Sequence, residues 1–356
     1  MLASTVSQEQ ADPVVVGVDT HKDVHHVAVL TLVGALLGDA GFPATSTGYQ
    51  ALLDWAGRFG PIRQVGVELT GSYGAGLTRH LRAAGIAVVE VNTADKATRA
   101  RRGKDDRTDA IAAAQKVLAG MATAIPKDTT GPVESIRILL LTRNSAVTDR
   151  TRAGNQIRDL LVTAPTALRE QLTRIRGRKA LLTAIETLPS PRGALTDPGA
   201  ATAFALRRLA SRIRDLDAEI ADLDAALTGL VTPLAPTLLA GHQIGILTAA
   251  QLLITAAGNS DRISSEAKFA HLTGTAPVPV SSGKTNRMRL HRGGDRQANR
   301  AIHLIAVGRL KNHAPTQAFI AKKLAEGKSK KDAIRSLKRY IARGIYHDLK
   351  TDHVTT

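Results

Sequence analysis

Short apolar runs rich in β-branched residues dominate the first third of this chain. Val14-Val15-Val16-Gly17-Val18 leads into Asp19, and Ile62 to Val67 leads into Glu68. Runs at 13–19, 25–32, 62–68 and 86–91 alternate with helical patterns at 47–58, 73–84 and 107–119, after a polar segment, 1–12, that reads as a flexible tail. Three strands in a row followed by strand–helix alternation predict an α/β layer over 13–130, a mixed sheet with flanking helices. Gly85 stands where a helix should stop, just before Ile86.

The texture changes after Thr129-Thr130-Gly131-Pro132. Residues 133–164 form one long helical pattern ending at Pro165, and a Pro/Gly-rich stretch runs from Pro189 to Gly199. Leu206, Leu209, Ile213, Leu216, Ile220, Leu223, Leu227 and Leu230 then step by three and four, an a/d seam of coiled-coil type within a helical region over 131–232. The seam fits equally an antiparallel partner within the chain, such as 133–164, or a second copy.

A mostly α C-terminal domain is predicted over 233–356. In it, His242-Gln243-Ile244-Gly245-Ile246 joins a glycine turn to a small-residue helix. That suits a helix–hairpin–helix-like element whose backbone N–H groups approach phosphate, or a plain helix cap. From Pro279 to Arg296 the chain reads as a polar, glycine-bearing loop entering a helix, crowded by Lys284, Arg287, Arg289, Arg292, Arg296 and Arg300. Basic helix follows to Lys350.

Charge sharpens this picture. Lys and Arg number 48 against 31 Asp and Glu, a net +17; 18 of the cations and 5 of the acids lie from Gly283 to Thr356. A polyanionic partner is implied. Aromatics are 3% of residues, so phosphate contacts explain binding better than base stacking. Cysteine is absent, which excludes disulfides and thiolate metal sites and leaves hard, oxygen-liganded cations. No stretch of about 18 apolar residues and no basic-then-apolar leader is present, so a cytoplasmic, nucleoid-associated protein without membrane contact is expected.

Four acids carry the candidate chemistry. Asp19 and Glu68 each end an apolar run, and Asp106 and Asp109 sit one helical turn apart at the start of a helical pattern. Converging carboxylates repel unless divalent cations occupy the centre, and a pair of Mg²⁺ ions so held promotes in-line attack on phosphodiesters. Asp105 and Asp23 compete for these roles, with Asp106 preferred. His21, His25 and His26 flank Asp19 and read as groups that support the ligands from behind or lie at the surface. Ser281-Ser282-Gly283 is ordinary loop chemistry by itself, yet a hydroxyl ringed by arginines is placed to attack a phosphate.

The segments Gly17-Val18-Asp19-Thr20-His21-Lys22-Asp23, Glu68-Leu69-Thr70-Gly71-Ser72-Tyr73 and Lys104 to Ala110 resemble the motifs of DEDD-type insertion-sequence transposases, relatives of the Piv DNA invertase. So do His242 to Asn259, Phe269 to Pro277, Ser281-Ser282-Gly283 and Arg292-Gly293-Gly294-Asp295-Arg296, so that the likeness spans about Val14 to Leu349. The resemblance implies an RNase H-like (RuvC-like) N-terminal domain with Asp19, Glu68, Asp106 and Asp109 as ligands for two Mg²⁺ ions, Mn²⁺ being able to substitute. It implies a C-terminal serine, Ser282 with Ser281 as rival, that links covalently to DNA. It further implies donor and target DNA as substrates and a structured non-coding bridge RNA as guide. A homo-oligomer, dimer or tetramer, would share composite active sites. On that reading Lys22, Arg101, Arg102 and Lys104 contact nucleic acid near the metals, and Arg287, Arg289, Arg292 and Arg296 clamp the phosphodiester. Two other readings stand beside it: a RuvC-like nuclease that uses water as nucleophile, and a non-catalytic nucleic-acid-binding scaffold.

Overall fold

The computed structural model describes residues 12–92, 105–189, 195–257, 263–282 and 285–354, with the backbone alone at 281–282, 285–287 and 290. They fall into two compact units, one built on residues up to Thr130 and one on most of the remainder. The proposed ligands Arg101, Arg102, Lys104 and Lys284 lie outside the described residues.

The first unit is a five-stranded mixed sheet. Its strands are β1 (Val14–Thr20), β2 (Val24–Thr31), β3 (Leu36–Pro43), β4 (Ile62–Glu68) and β5 (Val88–Val91), in the spatial order β3-β2-β1-β4-β5. The first three form an antiparallel meander, and β4 and β5 add in parallel. Central β1 is buried at every residue, which accounts for its unbroken apolar run. Strand β3 has no such run, because most of it is partly exposed.

One face packs against α1 (Ser46–Gly57) and α2 (Ala75–Ala83), burying Val16, Val18, Val65 and Val67 with Leu52, Leu77 and Leu81. The Thr45 hydroxyl caps α1 by accepting from Gly48 N–H at 3.1 Å. Gly85, at φ +75°, follows α2 where the chain must turn into the next strand. The other face buries Val15, Ala28, Leu30, Val89 and Val91 beneath α3 (Asp106–Leu118), whose contact side is Ala110, Ala113, Ala114 and Val117.

Two glycines set how closely α3 approaches. Gly17 and Gly66 are register partners across β1 and β4. A Cβ on Gly17 would overlap the Ala110 carbonyl oxygen and the Ala114 amide nitrogen, and one on Gly66 would lie 2.5 Å from Val117 Cγ2. Alanines on the helix and glycines on the strands therefore bring the two backbones into contact.

The second unit begins with α4 (Gly131–Thr163), then α5 (Thr166–Thr173), α6 (Arg178–Glu186) and α7 (Pro198–Leu234). Asp197 caps α7 by accepting from Ala200 N–H at 2.7 Å, with Pro198 in the first turn. The heptad seam finds its partner within the chain. Arg143 meets Asp224 at 2.6 Å and Arg150 meets Asp217 at 2.7 Å, a pairing that runs antiparallel along α4 and α7. Leu206, Ile213, Ile220 and Leu227 are buried, whereas Leu209, Leu216, Leu223 and Leu230 are half-buried.

Beyond the seam come α8 (Pro236–Ala240), α9 (Ile246–Ala256), α10 (Glu266–Leu272), α11 (Arg296–Asn312), α12 (Ala314–Ala325) and α13 (Lys330–Thr351). The segment expected to be a loop differs. Residues 277–282 and 285–290 pair as a two-stranded antiparallel ribbon, β6 (Pro277–Ser282) and β7 (Thr285–Leu290). Strand-favouring Val278 and Val280 alternate there with Pro277 and Pro279, and the prolines and arginines hid that period. No helix among the described residues is long and apolar enough to cross a membrane.

Because Gly17 has no room for a side chain, Gly17→Ala should destabilise the protein by roughly 1–3 kcal/mol. Gly57→Ala, where a Cβ meets nothing within 4 Å, is the control and should be near neutral. Urea unfolding of the two variants measures the difference.

Candidate functional site

Strand β1 delivers Asp19 and strand β4 delivers Glu68. Their parallel pairing puts Val18 beside Val67, so the two acids emerge side by side at the carboxyl ends of neighbouring strands. Side chains alternate along a strand, so Gly17 and Asp19 share a face, as do Gly66 and Glu68. That is the face covered by α3, and its first turn carries Asp106 and Asp109. The glycine contact thus lowers the helix onto the sheet two residues before each strand-end acid. Asp19, Glu68 and Asp109 are buried, while Asp106 is partly exposed.

His21 ties part of the group together. Its Nε2 lies 3.1 Å from Asp19 Oδ2 and 3.2 Å from Asp106 Oδ1. One ligand atom from each of the three residues falls within 4.8 Å of the others. Burial raises the Asp19 carboxyl above the ordinary carboxylate range; His21 opposes the shift, and Asp109 and Asp106 add to it. The donor set of hard carboxylate oxygens with one imidazole nitrogen fits a hard or borderline divalent cation such as Mg²⁺ or Mn²⁺.

A second polar chain holds the start of α3 to the sheet. Asp39, on β3, accepts from Arg107 Nε at 2.8 Å and pairs with His26 Nε2 at 3.2 Å. Asp105 is engaged differently: its Oδ2 accepts from the Thr108 hydroxyl at 2.9 Å, which keeps its carboxyl below the usual range. Asp106 faces His21 instead. Lys22 is exposed in the turn after Asp19.

The histidines near Asp19 take different places. His21 contacts two of the acids, as a group supporting them would, whereas His25 takes neither expected place. His25 is fully buried and stacks on Tyr49 at 5.6 Å, beside the α1 face of the sheet. Only the spacing of His21 from Asp19, two residues on along the chain, pointed to its place. Asp39 offered no motif at all, since its role depends on strand pairing.

In the second unit, Ser282 pairs with Thr285, Ser281 with Asn286 and Val280 with Arg287 on the β6–β7 ribbon. Arg289, Arg292, Arg296 and Arg300 are exposed. The Gly293-Gly294-Asp295 segment is architectural: Gly294 leaves room for the Gly274 backbone, and Asp295 caps α11 by accepting from Gln297 N–H at 2.8 Å. At the turn of 241–245, Arg309 donates to His242 O at 3.0 Å, and the His242 ring stacks on His313.

The upward shift of Asp19 has a definite sign. Its folded carboxyl holds a proton more tightly than the unfolded one, so stability falls as pH rises through that window, and the full penalty remains at neutral pH. Asp19→Asn should therefore raise Tm in EDTA at pH 7 and abolish any further rise on adding Mn²⁺. Differential scanning fluorimetry with and without the cation reads both effects.

Comparison with known proteins places the two halves. Residues 16–165 match the DEDD-type IS110 domain described as "Transposase", and residues 238–321 match that described as "Transposase IS116/IS110/IS902 family". The chain is similar to the insertion element IS110 uncharacterized 43.6 kDa protein of Streptomyces coelicolor, at 32% identity over 108 residues. That alignment covers 30% of this chain and 26% of the relative, about a quarter of the relative's length. With both domains present in that order over well more than half of its residues, the chain belongs to the IS110 family of insertion-element transposases.

Proposed function

We propose that this protein is a site-specific DNA recombinase that excises and inserts its mobile element through a covalent serine–phosphate intermediate. The observation that carries the proposal is the meeting of Asp19, Asp106 and His21 beside Asp109 and the end of β4. The strand order β3-β2-β1-β4-β5 supports a RuvC-like, RNase H-like assignment for the first unit.

On this reading Asp19, Glu68, Asp106 and Asp109 hold two divalent cations, Mg²⁺ or Mn²⁺. Such cations offset charge on the phosphate and stabilise the attacking and leaving oxygens. His21 keeps the Asp19 and Asp106 oxygens at one position. Ser282, with Ser281 as its rival, supplies the nucleophile: its Oγ–phosphorus bond forms as the phosphorus–O3′ bond breaks. The serine proton passes to solvent or base, and the departing oxygen is protonated to a 3′-hydroxyl. Arg287, Arg289, Arg292, Arg296 and Arg300, with Lys284, offset phosphate charge, and Lys22, Arg101, Arg102 and Lys104 do so near the acids.

Donor and target DNA are the proposed substrates, with a structured bridge RNA as guide, in a cytoplasmic setting. The charge excess after Gly283 and the scarcity of aromatics suit a protein that holds backbones while base pairing reads sequence. A dimer or tetramer with composite sites completes the proposal, and the half-buried leucine row of α7 is a surface it could use.

A second reading rests on the acids alone: the first unit hydrolyses DNA with water, and the serine is structural. A supercoiled-plasmid recombination assay run beside denaturing gels separates the two. The recombinase reading expects Ser282→Ala and Asp19→Ala to reduce strand exchange to background, with a protein–DNA adduct in the parent protein that is absent in Ser282→Ala. Cleavage without an adduct supports hydrolysis. Full exchange by both variants contradicts the proposal.

A further inference from the structure

The second unit contains a cavity of about 490 Å³, within the roughly 300–1,000 Å³ of small-ligand sites. It lies between the base of the β6–β7 ribbon and the first turns of α13. Its wall includes Lys338, which is only 7% exposed. The Lys338 ammonium donates to Asn299 Oδ1 at 2.5 Å, and Asn299 in turn donates to the carbonyls of Thr273 and Gly274, both at 2.9 Å. An ammonium has three donors, and a neutral amide does little to offset its buried charge.

Among the described residues, the carboxylates nearby, including Asp332 in the lining itself, are already paired with arginines. Asp332 pairs with Arg335 at 2.7 Å, and Glu266 takes Arg343 at 2.9 Å and Arg339 at 3.2 Å. Arg289 and Lys328 are exposed members of the same lining, which is therefore strongly cationic. Tyr340, 60% exposed, and Met288, 56% exposed, add an aromatic and apolar surface. In a chain with four tyrosines and one tryptophan, an exposed ring beside buried positive charge is a specific arrangement.

We infer that this cavity binds one nucleotide of a nucleic-acid strand, with the phosphate against Lys338 and Arg289 and the base on Tyr340. The inference rests on the nucleic-acid-processing reading above and deepens it. Five steps along β6 lead from Pro277, in the cavity wall, to Ser282, about 17 Å at strand rise. The cavity therefore anchors a strand running along the ribbon that carries the proposed nucleophile. Burial also lowers the Lys338 pKa to about 8, and a bound oxyanion reverses that shift.

The test uses the full chain in EDTA, with fluorescein-labelled single-stranded DNA of about eight nucleotides and its RNA counterpart. In anisotropy titrations Lys338→Met, Arg289→Ala and Tyr340→Ala should each weaken binding of one or both strands about tenfold. The two charge removals should also flatten the log–log salt dependence by about one unit. Calorimetry at pH 8 in buffers of different ionisation enthalpy should show proton uptake on binding by the parent, lost in Lys338→Met. Arg289 and Tyr340 are exposed, so their variants keep the test decisive if Lys338→Met does not fold. Parent-like affinity for both strands in the exposed-residue variants overturns the inference. Because this binding requires neither metal nor strand cleavage, its failure leaves the recombinase reading to its own assay.

Discussion

The organisation of the first unit depends on a backbone-to-backbone contact where α3 rests on Gly17, with its neighbour Gly66 leaving room for the Val117 side chain. Close-packed interiors transmit such a constraint without slack: a Cβ on Gly17 would overlap the helix backbone, and one on Gly66 would press on the Val117 and Val91 side chains. The residues two places further along each strand are Asp19 and Glu68, and the end of the helix above them carries Asp106 and Asp109. The same packing that buries Ala110, Ala113 and Ala114 therefore concentrates negative charge at one sheet edge.

That concentration is unfavourable by itself: burial is the main cause of the raised Asp19 carboxyl, and Asp109 and Asp106 add to it. His21 relieves part of it by bridging Asp19 and Asp106, and the Asp39–Arg107 pair fixes the first turn of α3 from the neighbouring strand. The cluster is thus held in place by groups that are not themselves the four acids. Placing acids at a helix N-terminus also sets them where the helix dipole favours negative charge.

Much of this was legible in the chain because burial writes a period into sequence. Strand segments covered on both faces read as apolar runs, over Val14 to Val18 in β1 and Val65 to Val67 in β4, which is why these strands and their terminal acids stand out. Strand β3 and the β6–β7 ribbon did not, because partial exposure, prolines and arginines blur the alternation. The α7 seam announced a partner but carried no address; the antiparallel match of Arg143 and Arg150 with Asp224 and Asp217 supplies it. Asp39 and Lys338 were invisible for a similar reason. One owes its surroundings to strand pairing and the other to burial within an otherwise basic helix, and neither leaves a local pattern.

Central to this proposal is that the glycine contact, and not the acids alone, would build the proposed cation site. Calorimetric titration of Mn²⁺ into the full chain and into folded Gly17→Ala tests it, since every acid is retained in that variant. The account predicts a saturable site in the parent that weakens at least about tenfold, some 1.4 kcal/mol, when the helix is lifted. Unchanged Mn²⁺ affinity in Gly17→Ala would contradict it.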